Sequence, residues 1–115
     1  VSDKPVRTFG PLYLTNTYTT NIYNNTSALI FDRITAIYLA NTDSAAHTVR
    51  LYLGLTGANT GGTELAKNIS IPANTTIPLY FNSPGLKMAS TDFLVGGADA
   101  NSVVTITATG YQAVV

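Results

Sequence analysis

From Leu12 onward, β-branched and aromatic residues recur at every second position, and Gly, Asn, Asp or Pro interrupts them about every eight to twelve residues. This period predicts short strands joined by tight turns and requires no helix. The expected strands cover 12–14, 21–23, 28–31, 34–40, 48–54, 64–71, 76–81, 86–88, 92–95 and 102–115. In the strongest of the first half, Ile34, Ala36, Tyr38 and Ala40 should face one way and Thr35, Ile37 and Leu39 the other. Both faces are apolar, which predicts a central strand. In 48–54, Val49, Leu51 and Leu53 should point inward; near the end, Val104, Ile106 and Ala108 should do so while Thr105, Thr107 and Thr109 face outward. The turns are expected at 41–46, which would close a hairpin, and at 72–74, 82–85 and 96–101, with a glycine-rich loop at 54–62. Strands of this number and spacing predict an all-β fold, a single antiparallel β-sandwich of jelly-roll or immunoglobulin-like type.

Residues 1–11 read differently. Pro5 and Pro11 each remove a ladder donor and bias the preceding residue toward extended geometry, so this segment is expected to be an extended N-terminal arm lying over the body or a neighbouring subunit, with the sandwich domain spanning 12–115.

With 115 residues the chain suffices for one domain, and surface scaling allows about two thirds of its surface to be buried. Six Lys and Arg balance six Asp and Glu, and charged residues are only 10 % of the chain, while Thr (18) and Asn (10) carry the polarity. Such a neutral chain offers no field for gathering phosphate backbones, so nucleic acid is not an expected partner. Without Cys there is no disulfide framework, zinc knuckle or thiol nucleophile. No apolar run approaches the roughly 20 residues of a membrane span, and the start Val1-Ser2-Asp3-Lys4-Pro5 has no signal-like apolar region, so no membrane association is expected.

The search for catalytic chemistry yields little. His47, the sole histidine, follows Asp43 by four residues, but the two flank a turn, and a catalytic triad needs a nucleophile converging on them. The carboxylates Asp3, Asp32, Asp43, Glu64, Asp92 and Asp99 are scattered and form no calcium loop, and nothing pairs Glu64 with Asp92 for glycoside cleavage. The 54–62 loop lacks the Gly-Lys-Ser/Thr ending of a phosphate cradle. Four Asn-X-Ser/Thr tripeptides, at Asn24, Asn25, Asn68 and Asn74, are what chance supplies in so Asn- and Thr-rich a chain. No enzymatic activity, cofactor or metal is expected.

Tyrosine is more informative. Tyr13, Tyr18 and Tyr23 recur at a five-residue spacing in a Thr- and Asn-rich stretch; tyrosine supplies broad, stiff, amphipathic area, and a surface poor in charge is readily desolvated against another protein. Together with Pro5, Arg7 and Phe9 of the N-terminal segment, they are the expected partner-binding residues. A carbohydrate- or receptor-binding module that stacks sugars on Tyr52, Tyr80 or Tyr111 is the alternative.

The runs Ile34-Thr35-Ala36-Ile37-Tyr38-Leu39-Ala40-Asn41-Thr42-Asp43 and His47-Thr48-Val49-Arg50-Leu51-Tyr52-Leu53 are followed by Leu65-Ala66-Lys67-Asn68-Ile69-Ser70-Ile71-Pro72-Ala73-Asn74-Thr75-Thr76 and by Val103-Val104-Thr105-Ile106-Thr107-Ala108-Thr109-Gly110-Tyr111. In order and alternation they resemble a family of small tailed-bacteriophage virion proteins over about two thirds of the chain. The resemblance implies a capsid decoration (cement) protein or a small head or fibre component. Such a β-sandwich acts by binding the major capsid protein or another virion protein, as a homo-oligomer, a trimer being favoured, on the capsid or head surface.

Overall fold

The alternating stretches fold as strands in the computed structural model, which describes residues 4–25, 29–54, 64–89 and 92–114. In chain order they are β1 (Lys4–Tyr13), β2 (Asn21–Asn24), β3 (Ile30–Asn41), β4 (His47–Gly54), β5 (Glu64–Ile71), β6 (Thr76–Tyr80), β7 (Leu86–Met88), β8 (Phe93–Ala98) and β9 (Val104–Val114). Two antiparallel sheets result, one ordered β1-β9-β3-β6 and the other β2-β8-β4-β5. β7 continues the edge begun by β6, pairing with β3 at residues 32–34 where β6 pairs at 36–40. Every connection except β4–β5 and β6–β7 passes from one sheet to the other. Counting β6 and β7 as one interrupted strand, eight strands form facing four-stranded sheets with every connection but β4–β5 crossing between them, which is jelly-roll connectivity rather than the hairpin-rich immunoglobulin pattern.

Segment 4–13 is not an arm. β1 pairs with β9 from Lys4 opposite Gln112 to Tyr13 opposite Thr105, running straight through the expected boundary at 11/12. The prolines are tolerated because β1 is a sheet edge, and Pro11 lies in the register shift between Phe9 and Leu12. The sandwich therefore begins within the segment expected to precede it.

β3 merges the expected strands 28–31 and 34–40 and is central, flanked by β9 on one side and by β6 and β7 on the other. Its faces switch midway. Ile34 is opposite Gly110 but Ala36 is opposite Thr109, so Thr35 is an extra residue that slips the alternation by one. Asp32 and Ile34 before the bulge, and Ile37, Leu39 and Asn41 after it, are the inward set; Tyr38 and Ala40 face out. β9 needs no such correction: Val104, Ile106 and Ala108 are all buried. Val49 and Leu51 of β4 also point inward as expected, with Leu53 packed at the margin of the core.

Two expected turns are something else. Gly96 and Gly97 lie inside β8, because the 15–20 segment crosses them so closely that a Cβ on Gly97 would collide with the carbonyl oxygens of Thr15 and Thr17. The 41–46 connection is not a hairpin but an arch between sheets. Asn41, buried at its root, donates from Nδ2 to the carbonyls of Ala45 (2.8 Å) and Ile71 (3.0 Å), while its Oδ1 accepts from the Asp43 amide (2.9 Å), tying this arch to the end of β5.

Candidate binding face

The register that places Val104, Ile106 and Ala108 inside turns Thr105, Thr107, Thr109 and Tyr111 outward from the β1-β9-β3-β6 sheet. Cross-strand pairing then dictates their neighbours. Pro5 and Arg33 flank Tyr111, and Arg7 and Ala36 flank Thr109. Tyr38 lies between Thr107 and Pro78, and Tyr13 lies beside Thr105. Tyr80 is opposite Ala36 and Lys87 opposite Arg33. Four tyrosines thus share one face, with Tyr80 73 %, Tyr13 54 % and Tyr111 40 % exposed. Tyr80 meets Tyr38 edge-on at 6.5 Å between ring centroids.

Among the described residues the charges on this face share one sign. Arg7, Arg33 and Lys87 all belong to it, and among the described residues no carboxylate does. The Arg33 guanidinium lies 5.8 Å from the Tyr111 ring centroid, and Lys87 Nζ is 4.7 Å from that of Phe31. Two shallow depressions meet at Thr35 and Tyr111. The larger, about 470 Å³, runs along Pro5, Arg7 and Thr109; the smaller, about 230 Å³, is bounded by Arg33, Ser83 and Pro84.

The opposite outer face is partly covered by the chain itself. Residues 15–20 follow the edge of β8, where Thr20 accepts from the Gly96 amide (3.0 Å) and Thr15 from that of Ala98 (2.9 Å), and a direct hydroxyl bond joins Thr15 to Thr20 at 2.7 Å. Tyr18 from this segment sits over Arg50, 4.4 Å from guanidinium carbon to ring centroid, and Arg50 Nε donates to Asn68 Oδ1 at 2.7 Å.

The six residues expected to meet a partner therefore separate into three groups. Pro5, Arg7 and Tyr13 lie on the exposed face of the first sheet, and Tyr18 belongs to the covering of the second. Phe9 and Tyr23 face each other between the sheets, stacked at 5.1 Å and 21°, and the Tyr23 hydroxyl donates to Asp32 Oδ2 at 2.6 Å. Burial first, and Asp32 second, hold the Tyr23 phenol well above its ordinary pKa, so it stays protonated as a donor. Tyr38, Tyr80, Tyr111, Arg33 and Lys87 complete the face and were not among the six. Tyr52, offered as a sugar platform, is only 6 % exposed and cannot stack a ligand.

His47 opens β4 at the end of the sandwich where 41–46 and 99–103 meet. Its Nε2 contacts Asp43 Oδ2 at 2.7 Å and its Nδ1 contacts Asp99 Oδ1 at 2.6 Å. Asp99 Oδ2 also accepts from the Thr48 amide, and Asp43 Oδ1 from that of Ser44. Carboxylates accept, so this geometry favours the doubly protonated ring, in which both nitrogens donate. The hydrogen bonds to Asp43 and then Asp99 raise the His47 pKa above 6.5, and the bond from His47 lowers that of Asp43 below 3.8. With both protons in place, the triplet clamps the two connections together.

No known family model, curated protein or solved structure matches the chain.

Proposed function

We propose that the protein is a structural component of a tailed-bacteriophage virion, a decoration or cement protein that binds the major capsid protein or another virion protein and reinforces the lattice by burying surface against it. The observation that carries this reading is the outer face of the first sheet, where Tyr13, Tyr80 and Tyr111 are exposed. It combines tyrosine, arginine and threonine on paired strands, the composition that supplies anchors at protein interfaces. Four strands about 4.8 Å apart and some eight residues long present roughly 500 Å² in projection. That is less than the ~800 Å² per partner of a standard interface, so attachment through several linked copies, each adding effective concentration, suits a lattice. Jelly rolls occur among viral coat proteins, which agrees with the reading without deciding it.

Exposed Tyr80 and Tyr111 support a second reading, a glycan- or receptor-binding module of a fibre or head appendage. Co-sedimentation with assembled capsids tests the first reading: retention with the particle is expected, and release of all the protein into the supernatant rejects it. Binding of a defined sugar on a glycan array without particle retention would select the second.

A further inference from the structure

We propose that His47 makes the 41–46 arch a one-sided latch worked by pH: on losing a proton, the ring keeps Asp99 and releases Asp43. The ring is held from both sides, with Nε2 2.7 Å from Asp43 Oδ2 and Nδ1 2.6 Å from Asp99 Oδ1. Its side chain is 13 % exposed, whereas the two carboxylates are 41 % and 40 % exposed. A neutral imidazole has one N–H, so it donates to one of these carboxylates and turns a lone pair toward the other. Two acceptors that close, with no proton between them, repel, and the less firmly held one moves. Among the described residues no other charge enters the balance. The 41–46 arch contributes Asp43, the 99–103 connection Asp99, and β5 the uncharged Ser70 and Ile71 opposite Thr48 and His47. The ends of β3 and β9 present Asn41 and Val104, and the next charge along β4, Arg50, is engaged with Tyr18 and Asn68.

The two carboxylates are not held alike. Asp99 Oδ2 accepts from the Thr48 amide at 3.1 Å, and the Asp99 amide donates to the Thr48 carbonyl at 3.0 Å, so side chain and main chain both fix Asp99 to β4 beside the ring. Apart from His47, the Asp43 carboxylate accepts among the described residues from the Ser44 amide alone, at 2.8 Å and on the same arch. The remaining proton therefore stays on Nδ1, and the Nε2 lone pair faces Asp43. Release is confined to part of the arch. The Asp43 amide stays on Asn41 Oδ1, its carbonyl on the Asn74 amide, and the Thr42 amide on the Val103 carbonyl, which leaves the Asp43 side chain and residues 44–46 as the moving part. Ser44, Ala45 and Ala46 are exposed, so they move without opening the core. Both carboxylates favour the charged ring, which sets the transition above pH 6.5. Below it the cluster carries one net negative charge; above it there are two, one of them turned toward solvent.

The test follows the ring nitrogens of the full-length, ¹⁵N-labelled protein by two-bond proton–nitrogen correlation from about pH 5 to about pH 9. Both nitrogens should carry protons at the acid end, and above the transition the proton should remain on Nδ1. A free histidine side chain prefers Nε2–H, so the position of the proton is diagnostic. Across the same transition the backbone order parameters of residues 44–46 should fall while those of 99–103 hold. Asp99→Asn, checked for unchanged circular dichroism, should move the neutral ring's proton to Nε2, because a carboxylate outcompetes an amide oxygen for it, and should abolish the loosening of 44–46. Asp43→Asn should leave the proton on Nδ1. A parent ring whose neutral form carries Nε2–H, equal loosening of both connections, or a ring that does not titrate by about pH 9 overturns the proposal. An Asp99→Asn protein that keeps Nδ1–H overturns it as well.

Discussion

Replacing Tyr23 with Phe removes one hydroxyl and leaves the rest of the ring in place. The stacking on Phe9, 5.1 Å between centroids, should survive, so packing is nearly conserved. What disappears is the 2.6 Å bond to Asp32, a carboxyl group with no solvent exposure whose other oxygen, Oδ1, has no partner among the described residues. The substitution therefore strands a buried acceptor rather than trading one bond for another. The cost of such a stranding is about 1–3 kcal/mol, and the upper part of that range applies because no second bond to Asp32 is made among the described residues. For a domain of this size the melting temperature should fall by roughly 4 °C per kcal/mol, or about 10 °C. Urea unfolding followed by circular dichroism measures the loss directly. Removing the carboxyl as well, in Tyr23→Phe with Asp32→Val, should recover at least half of it, since two apolar groups facing each other leave nothing unsatisfied. A loss under about 0.5 kcal/mol in the single variant, or a double variant no more stable than the single, refutes the claim that this hydroxyl serves to satisfy a buried acid.

The His47 clamp predicts a pH profile. The His47 pKa is raised on folding, so its contribution is complete below the unfolded value near 6.5 and disappears as pH rises through the higher folded value; the Asp43 pKa is lowered, so its contribution is present above about 3.8 and lost as pH falls through the lower folded value. Thermal melts should show the clamp's greatest effect between roughly pH 4 and 6.5, and His47→Gln should flatten the profile above pH 6; an unchanged profile contradicts the clamp. Gly110→Ala should destabilise the protein by about 1–3 kcal/mol in the same unfolding assay, because the new Cβ would collide with the Arg33 carbonyl oxygen and lie 2.9 Å from the Ile34 Cα at the centre of the first sheet; a neutral effect would mean that β3 and β9 are not held that closely.

Strand alternation carries most of the fold information here. β9 follows it from Val104 to Ala108 and β4 as far as Leu51, and there the inward residues are legible as a period of two; beyond Leu51, Tyr52, expected to face outward, is buried and Leu53, expected inward, is only half-buried. It fails at Thr35, because a bulge leaves no compositional mark and yet slips the phase: Ile34 and Tyr38, which share a face on an unbroken strand, point to opposite sides. It fails again at Gly96-Gly97, where glycine signals not a turn but the close passage of residues 15–17, a tertiary fact that no local window contains. The proline-bearing start is extended, as expected, but nothing local distinguishes an edge strand from a free arm; only pairing with β9 does. The binding face was half visible for related reasons. Tyr111 follows from the outward row Thr105, Thr107, Thr109, and Arg7 and Tyr13 were singled out, but Arg33 joins them only through the register of β3 against β9. Phe9 and Tyr23 have the composition of interface anchors, but the buried carboxyl of Asp32 draws the Tyr23 hydroxyl inward, and Phe9 stacks on its ring.

A cryo-electron microscopy map of the native particle examines the central claim most directly. The account predicts density for this jelly roll on the capsid or head, with Tyr80 and Tyr111 covered by a neighbouring protein. A particle without the protein, or one in which the β1-β9-β3-β6 face stands open to solvent while another surface makes the contact, would contradict it.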